Sequence, residues 1–289
     1  MAYHPFLALD QLAVTLGCSP KRTTGLVSEL LRQRIIDLVQ MPAWPKPRFR
    51  VTVYGARRLR VLDRLPQSYW QFLGLEGSPL EQRDRTWRHD LAVSDWAVRG
   101  FSRLLRAPAV RSTRWEWASP PFVLRRFSLG SRTFVAAFDA IVWVMRPGRC
   151  SAWGVEYSTG SRGAASRLAQ MNGYLRYCGN SQSHLSGLLV LADSRRGLDQ
   201  LQQTLHDADR MESAVAAGWH RPAVLLGFQS DHPFNTPYRC AWDNQIQRID
   251  AFATEWVEDW RRHAIRHTDD DHIRTSNQQI VFTTATGTK

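Results

Sequence analysis

Between residues 151 and 228 the chain alternates short apolar runs with longer amphipathic stretches, and that order constrains the fold more than any other feature. SAWGVEY, HLSGLLVLAD and the run over 223–228 are too short and too evenly apolar for surface helices. They read as strands buried on both faces. RGAASRLAQMNGYLRYC and the stretch over 198–217 carry helical spacing between them. Strands joined through helices run parallel, because a crossover of that length carries the chain back to the same end of the sheet. Three further strand-like runs, over 110–116, 122–129 and 133–144, precede this segment as a meander. The sum is a mixed-sheet α/β (α+β) domain with helices on both sides, spanning 87–268. HDLAVSDWAVRGFSRLLR opens it as a helix. A C-terminal helix closes it, with Trp242, Ile246, Ile249, Phe252, Trp256 and Trp260 as its apolar stripe. Residues 269–289 have no period and read as a loose tail.

No run approaches the roughly 20 apolar residues of a membrane span, and MAYHPFLALD lacks the charged-then-apolar order of a signal peptide. The cysteines Cys18, Cys150, Cys178 and Cys240 are scattered, with no C-x-x-C pair. That pattern indicates neither a disulfide framework nor a zinc ribbon and suits a reduced cytoplasm. The net charge of +12, with a pI near 10.3, points to a polyanionic partner. Only Lys21, Lys46 and Lys289 are lysines, so the rest of the basic charge is arginine.

Much of that charge lies in the first 65 residues, where eleven lysines and arginines face four acids. Leu9, Leu12, Ala13 and Leu16 keep helical spacing until Gly17. Ser19 and Pro20 then start a second helix, with Leu26, Leu30 and Leu31 on its inner face. Two alternating runs, over 35–40 and 49–54, flank the proline-rich MPAWPKPR. Helix, helix, strand, wing, strand is the order of a winged helix-turn-helix over 1–65. Lys21, Arg22, Thr23 and Thr24 fall on the first turn of the second helix, the part that reaches bases and phosphates. Lys46, Arg48 and Arg50 fall on the wing, and Arg57 and Arg58 extend the same basic surface. Double-stranded DNA is the expected partner. Residues 66–86, with two prolines and two glycines in 65–84, read as a linker.

Two acids stand out in the second domain. Asp139 interrupts TFVAAFDAIVWV, and Glu156 ends the next strand. A carboxylate in an apolar strand is costly unless it is paired or bound to a cation, so two on neighbouring strands suggest one shared site. Oxygen ligands of this kind suit Mg2+ or Mn2+.

These residues resemble the signature of the PD-(D/E)xK nuclease superfamily: an acid on one strand, then an acid, a spacer and a lysine on the next. In the branch that includes bacterial recombination exonucleases the second strand commonly reads D-Y-K-T-G. This chain has Glu156, Tyr157, Ser158, Thr159 and Gly160. Gln170 and Tyr174 match that branch's Q-x-x-x-Y, and His89 matches its upstream metal-binding histidine. In overall layout the chain is similar to the replication-relaxation family of plasmid and mobile-element proteins. The similarity rests on the N-terminal winged helix, the segment Arg88, His89, Asp90 and Leu91, the acid Asp139, and Glu156-x-Ser158-x-Gly160-Ser161 ahead of a helix bearing Tyr174.

The resemblance implies a metal set of His89, Asp139 and Glu156 and a catalytic group of Asp139, Glu156, Ser158, Gln170 and Tyr174. Ser158 departs from it, standing where the nucleases place lysine. No lysine occurs between Arg48 and Thr288, and an arginine such as Arg162 or Arg167 brings charge but no base. The expected function is a DNA-binding protein of a plasmid or mobile element whose nuclease-like domain cleaves weakly or not at all. The alternatives are an active metal-dependent endonuclease or nickase and a non-catalytic transcription or replication regulator. Replication, conjugation or transposition proteins and a second copy of the chain are further expected partners.

Overall fold

A computed structural model describes residues 6–40, 44–58, 84–104, 114–118, 123–129, 132–146, 149–160, 163–180, 183, 185–215, 219–234, 236–249 and 254–255. The first helices lie where the apolar spacing puts them. Helix α1 (Leu9–Leu16) is held at its start by Gln11, whose Oε1 accepts from the Ala8 amide at 2.8 Å, and ends on Gly17 at φ 62°. Helix α2 (Pro20–Arg32) starts on Ser19, whose hydroxyl accepts from the Arg22 amide at 3.3 Å. Its buried face is Thr23 and Val27, with Leu30 and Leu31 partly covered. Leu26, expected on that face, is exposed. Strands β1 (Ile36–Val39) and β2 (Arg48–Val51) pair antiparallel, Ile36 opposite Val51 and Val39 opposite Arg48. The second run does not continue as strand to 54. The chain turns into helix α3 (Val53–Arg58), whose Gly55 passes so near Ile35 that a Cβ would lie 1.9 Å from its carbonyl oxygen.

Helix α4 (Asp84–Leu104) leads into the sheet. Strand β3 (Arg114–Ala118) follows, then β4 (Leu124–Leu129), β5 (Arg132–Ala137), β6 (Ala140–Arg146) and β7 (Arg149–Ser158). Next come α5 (Ala164–Cys178), β8 (Gly187–Ala192), α6 (Arg195–Val215), β9 (Ala223–Phe228), β10 (Tyr238–Cys240), β11 (Ile246–Gln247) and β12 (Thr254–Glu255). Among the described residues the main sheet is mixed and has eight strands. Its order is β11-β10-β9-β8-β7-β6-β3, with β12 paired to the start of β7. The three central strands β7, β8 and β9 run parallel through the α5 and α6 crossovers, and antiparallel strands flank them.

Side-chain alternation splits the core into two layers. Trp115, Trp117, Val142, Val144, Trp153 and Val155 face Val93, Trp96 and Ala97 of α4. Trp143, Met145, Ala152, Val190 and Leu226 face Met171, Tyr174 and Leu175 of α5 and Leu201 and Leu205 of α6. The α4-side layer also contains Leu7, Leu12, Val27, Ile36 and Phe49, so the N-terminal elements and the sheet share one core.

Two expected elements are different. The run over 133–144 is two strands in two sheets: β5 pairs with β4 in a separate hairpin, and β6 joins the main sheet. Phe138 and Asp139 form the break. There the Asp139 amide donates to the Val155 carbonyl at 2.9 Å and its Oδ2 accepts from the Tyr157 amide at 2.7 Å, a carboxylate doing what a backbone carbonyl does in a ladder. The apolar stripe expected to form a helix from Trp242 starts in a turn. Asp243 accepts from the Gln245 amide at 2.9 Å, Asn244 lies at φ 59°, and β11 then pairs back on β10. Strand pairing to the sheet edge wins over helical spacing, and Ile246 is left exposed. Phe252, Trp256, Trp260, the tail over 269–289 and residues 66–83 of the expected linker lie outside the described residues, whereas 84–86 begin α4.

No helix among the described residues is long and apolar enough to cross a membrane.

Candidate metal centre

The parallel register brings β7 to its carboxyl end beside β8, with Glu156 opposite Val190 and on the α5 side of the sheet. Asp139 precedes β6 across the antiparallel ladder, in which Ala140 faces Val155. The two acids therefore meet at one edge. His89, near the start of α4, reaches the same point from the other layer: its Nδ1 lies 3.0 Å from Asp139 Oδ1, and its ring sits 5.3 Å from that of Tyr157. One ligand atom each from His89, Asp139 and Glu156 lie within 4.8 Å of one another. A single Mg2+ spans ligand atoms up to about 4.2 Å apart, so closing around one ion takes little movement. The two carboxylates are donors that suit Mg2+ or Mn2+, and the imidazole adds a nitrogen donor of the kind later first-row metals prefer.

Helix α5 supports Glu156 from below. Gln170 and Tyr174, one turn apart, share the face that meets the sheet. Gln170 Nε2 donates to Glu156 Oε1 at 2.9 Å and to the Tyr174 hydroxyl at 2.7 Å. The Tyr174 hydroxyl lies 2.7 Å from Glu156 Oε2 and 2.6 Å from the Ala137 carbonyl oxygen. Burial, then the charge of Asp139, pushes the Glu156 carboxyl well above its ordinary value of 4.5. Burial, then the charge of Glu156, likewise raises the Tyr174 phenol. A cation between the acids would oppose the rise at Glu156 by favouring the charged form.

Four of the five expected catalytic residues, Asp139, Glu156, Gln170 and Tyr174, thus meet in one network with His89. Ser158 closes β7 half-buried and makes no side-chain hydrogen bond among the described residues. Arg167 bonds to Gln200 of α6 at 3.4 Å. Ser161, Arg162 and the side chains of Arg88 and Asp90 lie outside the described residues.

Sequence reasoning passed over Phe138 and Gly154. The Phe138 ring stacks on Tyr174 at 4.8 Å and lies over Gly154, where an added Cβ would meet it at 2.4 Å. An aromatic residue immediately before the strand acid, with a glycine two residues before Glu156, was the available signal. Tyr157 beside His89 is a second such neighbour.

The basic residues of the N-terminal region divide. Lys21, Arg22 and Thr24 are exposed on the first turn of α2, and Arg57 and Arg58 are exposed at the end of α3. Lys46 is exposed but paired with Asp10 at 2.6 Å, and Arg50 is paired with Asp37 at 2.9 Å. Thr23 and Arg48 are buried and belong to no outward face. Thr23 bonds to the Ser19 carbonyl at 3.0 Å because its position on α2 faces the core. Arg48 turns inward to the Phe6 carbonyl at 3.1 Å, Gln11 Oε1 at 2.9 Å and Asp95 Oδ1 at 3.3 Å.

Compared with known protein families the chain matches none, and no curated protein matches it.

Proposed function

We propose that this protein binds double-stranded DNA through its basic N-terminal elements and holds Mg2+ or Mn2+ at His89, Asp139 and Glu156, as a plasmid or mobile-element protein related to the PD-(D/E)xK nucleases. The observation that carries the reading is the convergence of those three ligands, from α4, the Phe138–Asp139 break and β7, on one point. Helix, helix, strand, strand over Leu9–Val51 is the winged-helix order, and the exposed Lys21 and Arg22, with Arg57 and Arg58 of the helix that follows, supply its phosphate contacts.

A cation held there supplies Lewis acidity toward a phosphoryl oxygen and lowers the pKa of water. The residues of the chain do the rest. Gln170 and Tyr174 fix both oxygens of Glu156, the Tyr157 amide fixes Asp139, and the Tyr157 ring backs His89. No lysine follows Glu156 at the nuclease position, which Ser158 takes, and none lies between Arg48 and Thr288. Loss of one such group costs about 10²- to 10⁴-fold in rate. Cleavage is therefore slow, and binding is the main activity.

Supercoiled plasmid incubated with Mn2+ tests the metal-centre half. Slow nicking by the wild type that disappears in Asp139→Ala and Glu156→Ala supports the metal centre as a weak nuclease. Equal background in all three leaves a DNA-binding protein without cleavage, the reading that the serine at 158 favours.

A further inference from the structure

Arg48 is a basic residue of the N-terminal sheet that is buried rather than offered to a partner, and its contacts cross to the helix that carries His89. Its guanidinium meets Asp95 Oδ1 at 3.3 Å from both Nη1 and Nη2. Gln11 Nε2 donates to the same carboxylate oxygen, while Gln11 Oε1 accepts from Arg48 and from the Ala8 amide. The start of α1, the end of the wing and the middle of α4 are thus tied at one carboxylate. Leu12, Val27 and Phe49 share a continuous apolar layer with Val93, Trp96 and Ala97 beneath the tie.

Helix α4 has two faces with different tasks. His89, Val93 and Trp96 follow the i, i+4, i+7 spacing of one face, which lies on the sheet and ends at the metal centre. Ala92, Asp95 and Arg99 share the second face at i, i+3, i+7 spacing, and on it Asp95 meets Gln11 and Arg48 of the N-terminal elements. Arg99 and Ala92 clasp the turn after β9: Arg99 Nη2 donates to the Gln229 carbonyl, and Gln229 Nε2 donates to the Ala92 carbonyl at 3.0 Å. Six residues of helix, about 9 Å of rise, separate Asp95 from His89. Along that length a helix shifts as a unit rather than bending.

We propose that Arg48, Gln11 and Asp95 are positioning residues for the metal centre: by seating α4 against the DNA-binding elements they set where His89 stands over Asp139, and so couple DNA binding to cation binding. This rests on the metal-site reading above and adds its regulation. Because coupling between two ligands is reciprocal, a duplex that engages α2 tightens Mn2+ binding by the factor by which Mn2+ tightens duplex binding.

The test measures Mn2+ affinity of the full chain by the electron paramagnetic resonance of free Mn2+, with and without a duplex, well below the melting temperature. Wild type, Arg48→Met, Asp95→Ala and Val27→Ala are compared. Val27→Ala loosens the apolar layer shared by the N-terminal elements and α4 but keeps the polar tie, so it separates general loosening from loss of the tie. The expected result is Mn2+ binding weakened about 2- to 30-fold in Arg48→Met and Asp95→Ala and unchanged in Val27→Ala, with the duplex tightening Mn2+ in wild type and Val27→Ala only. Wild-type affinity in Arg48→Met and Asp95→Ala, or an equal loss in Val27→Ala, overturns the coupling and leaves the metal centre standing. Absence of Mn2+ binding by the wild type overturns the metal centre and this role together.

Discussion

Asp139 carries two duties that are usually separate. One oxygen closes the ladder to the Tyr157 amide, and the other faces His89. Its neighbour Glu156 is held on both oxygens by α5 and keeps its proton to a higher pH than an exposed glutamate does, because burial and then Asp139 disfavour the charge. The consequence for stability has a definite sign. Above the ordinary value of 4.5 the folded chain binds a proton at Glu156 that the unfolded chain has released, so stability in a cation-free buffer falls as pH rises through that window, down to its floor at the raised folded value. Urea midpoints measured in EDTA at a series of pH values check this. Glu156→Gln flattens that part of the profile, and on the proposed metal reading saturating Mn2+ in place of EDTA flattens it as well, by binding the deprotonated form. An equal slope in wild type and variant places the titration elsewhere.

At the scale of elements, glycine environments separate positions where a methyl is harmful from one where it helps. Gly154 lies beneath the Phe138 ring, and a Cβ at 2.4 Å displaces that ring from Tyr174. Gly154→Ala is expected to destabilise by about 1–3 kcal/mol and to weaken Mn2+ binding as Tyr174 shifts against Glu156. Gly25 sits exposed within α2, and a Cβ added there would meet nothing within 4 Å. Gly25→Ala is expected to stabilise by about 0.5–1 kcal/mol. Thermal melts of the two variants, moving in opposite directions, check both. The same scale shows why some elements were legible in the sequence. Helices α1, α2, α5 and α6 and strands β7, β8 and β9 follow from spacing and from capping or turn residues. The break at Phe138 does not, because an apolar run looks the same whether one strand or two sheets use it. The C-terminal stripe misled for a related reason: Trp242, Ile246 and Ile249 fit a helical face, but pairing with β10 satisfies backbone groups at the sheet edge.

Over the whole molecule, net charge and burial together set which basic residues reach a partner. Arg48 counts in the +12 but is spent on Asp95, and Lys46 and Arg50 are paired on the surface of the same elements. On the proposed reading, duplex affinity falls steeply with salt, and removing a phosphate contact lowers the slope of log K against log salt by about 1. Arg22→Ala and Arg57→Ala are expected to do so, whereas Lys46→Ala, which also frees Asp10, changes the slope less. Fluorescence anisotropy of a labelled duplex between low and physiological salt checks it. A slope near zero for the wild type removes DNA binding.

The sequence by itself determined the alternation that makes a parallel centre in a mixed sheet and the two strand acids, because each is a local pattern of spacing and polarity; the Gln170 and Tyr174 pair was legible through the family resemblance. Only the tertiary structure decided that His89 joins the acids, that Phe138 and Gly154 brace them, and that Arg48 faces inward to Asp95. Those contacts join residues of different elements, and which partner a side chain meets across them depends on how whole layers pack.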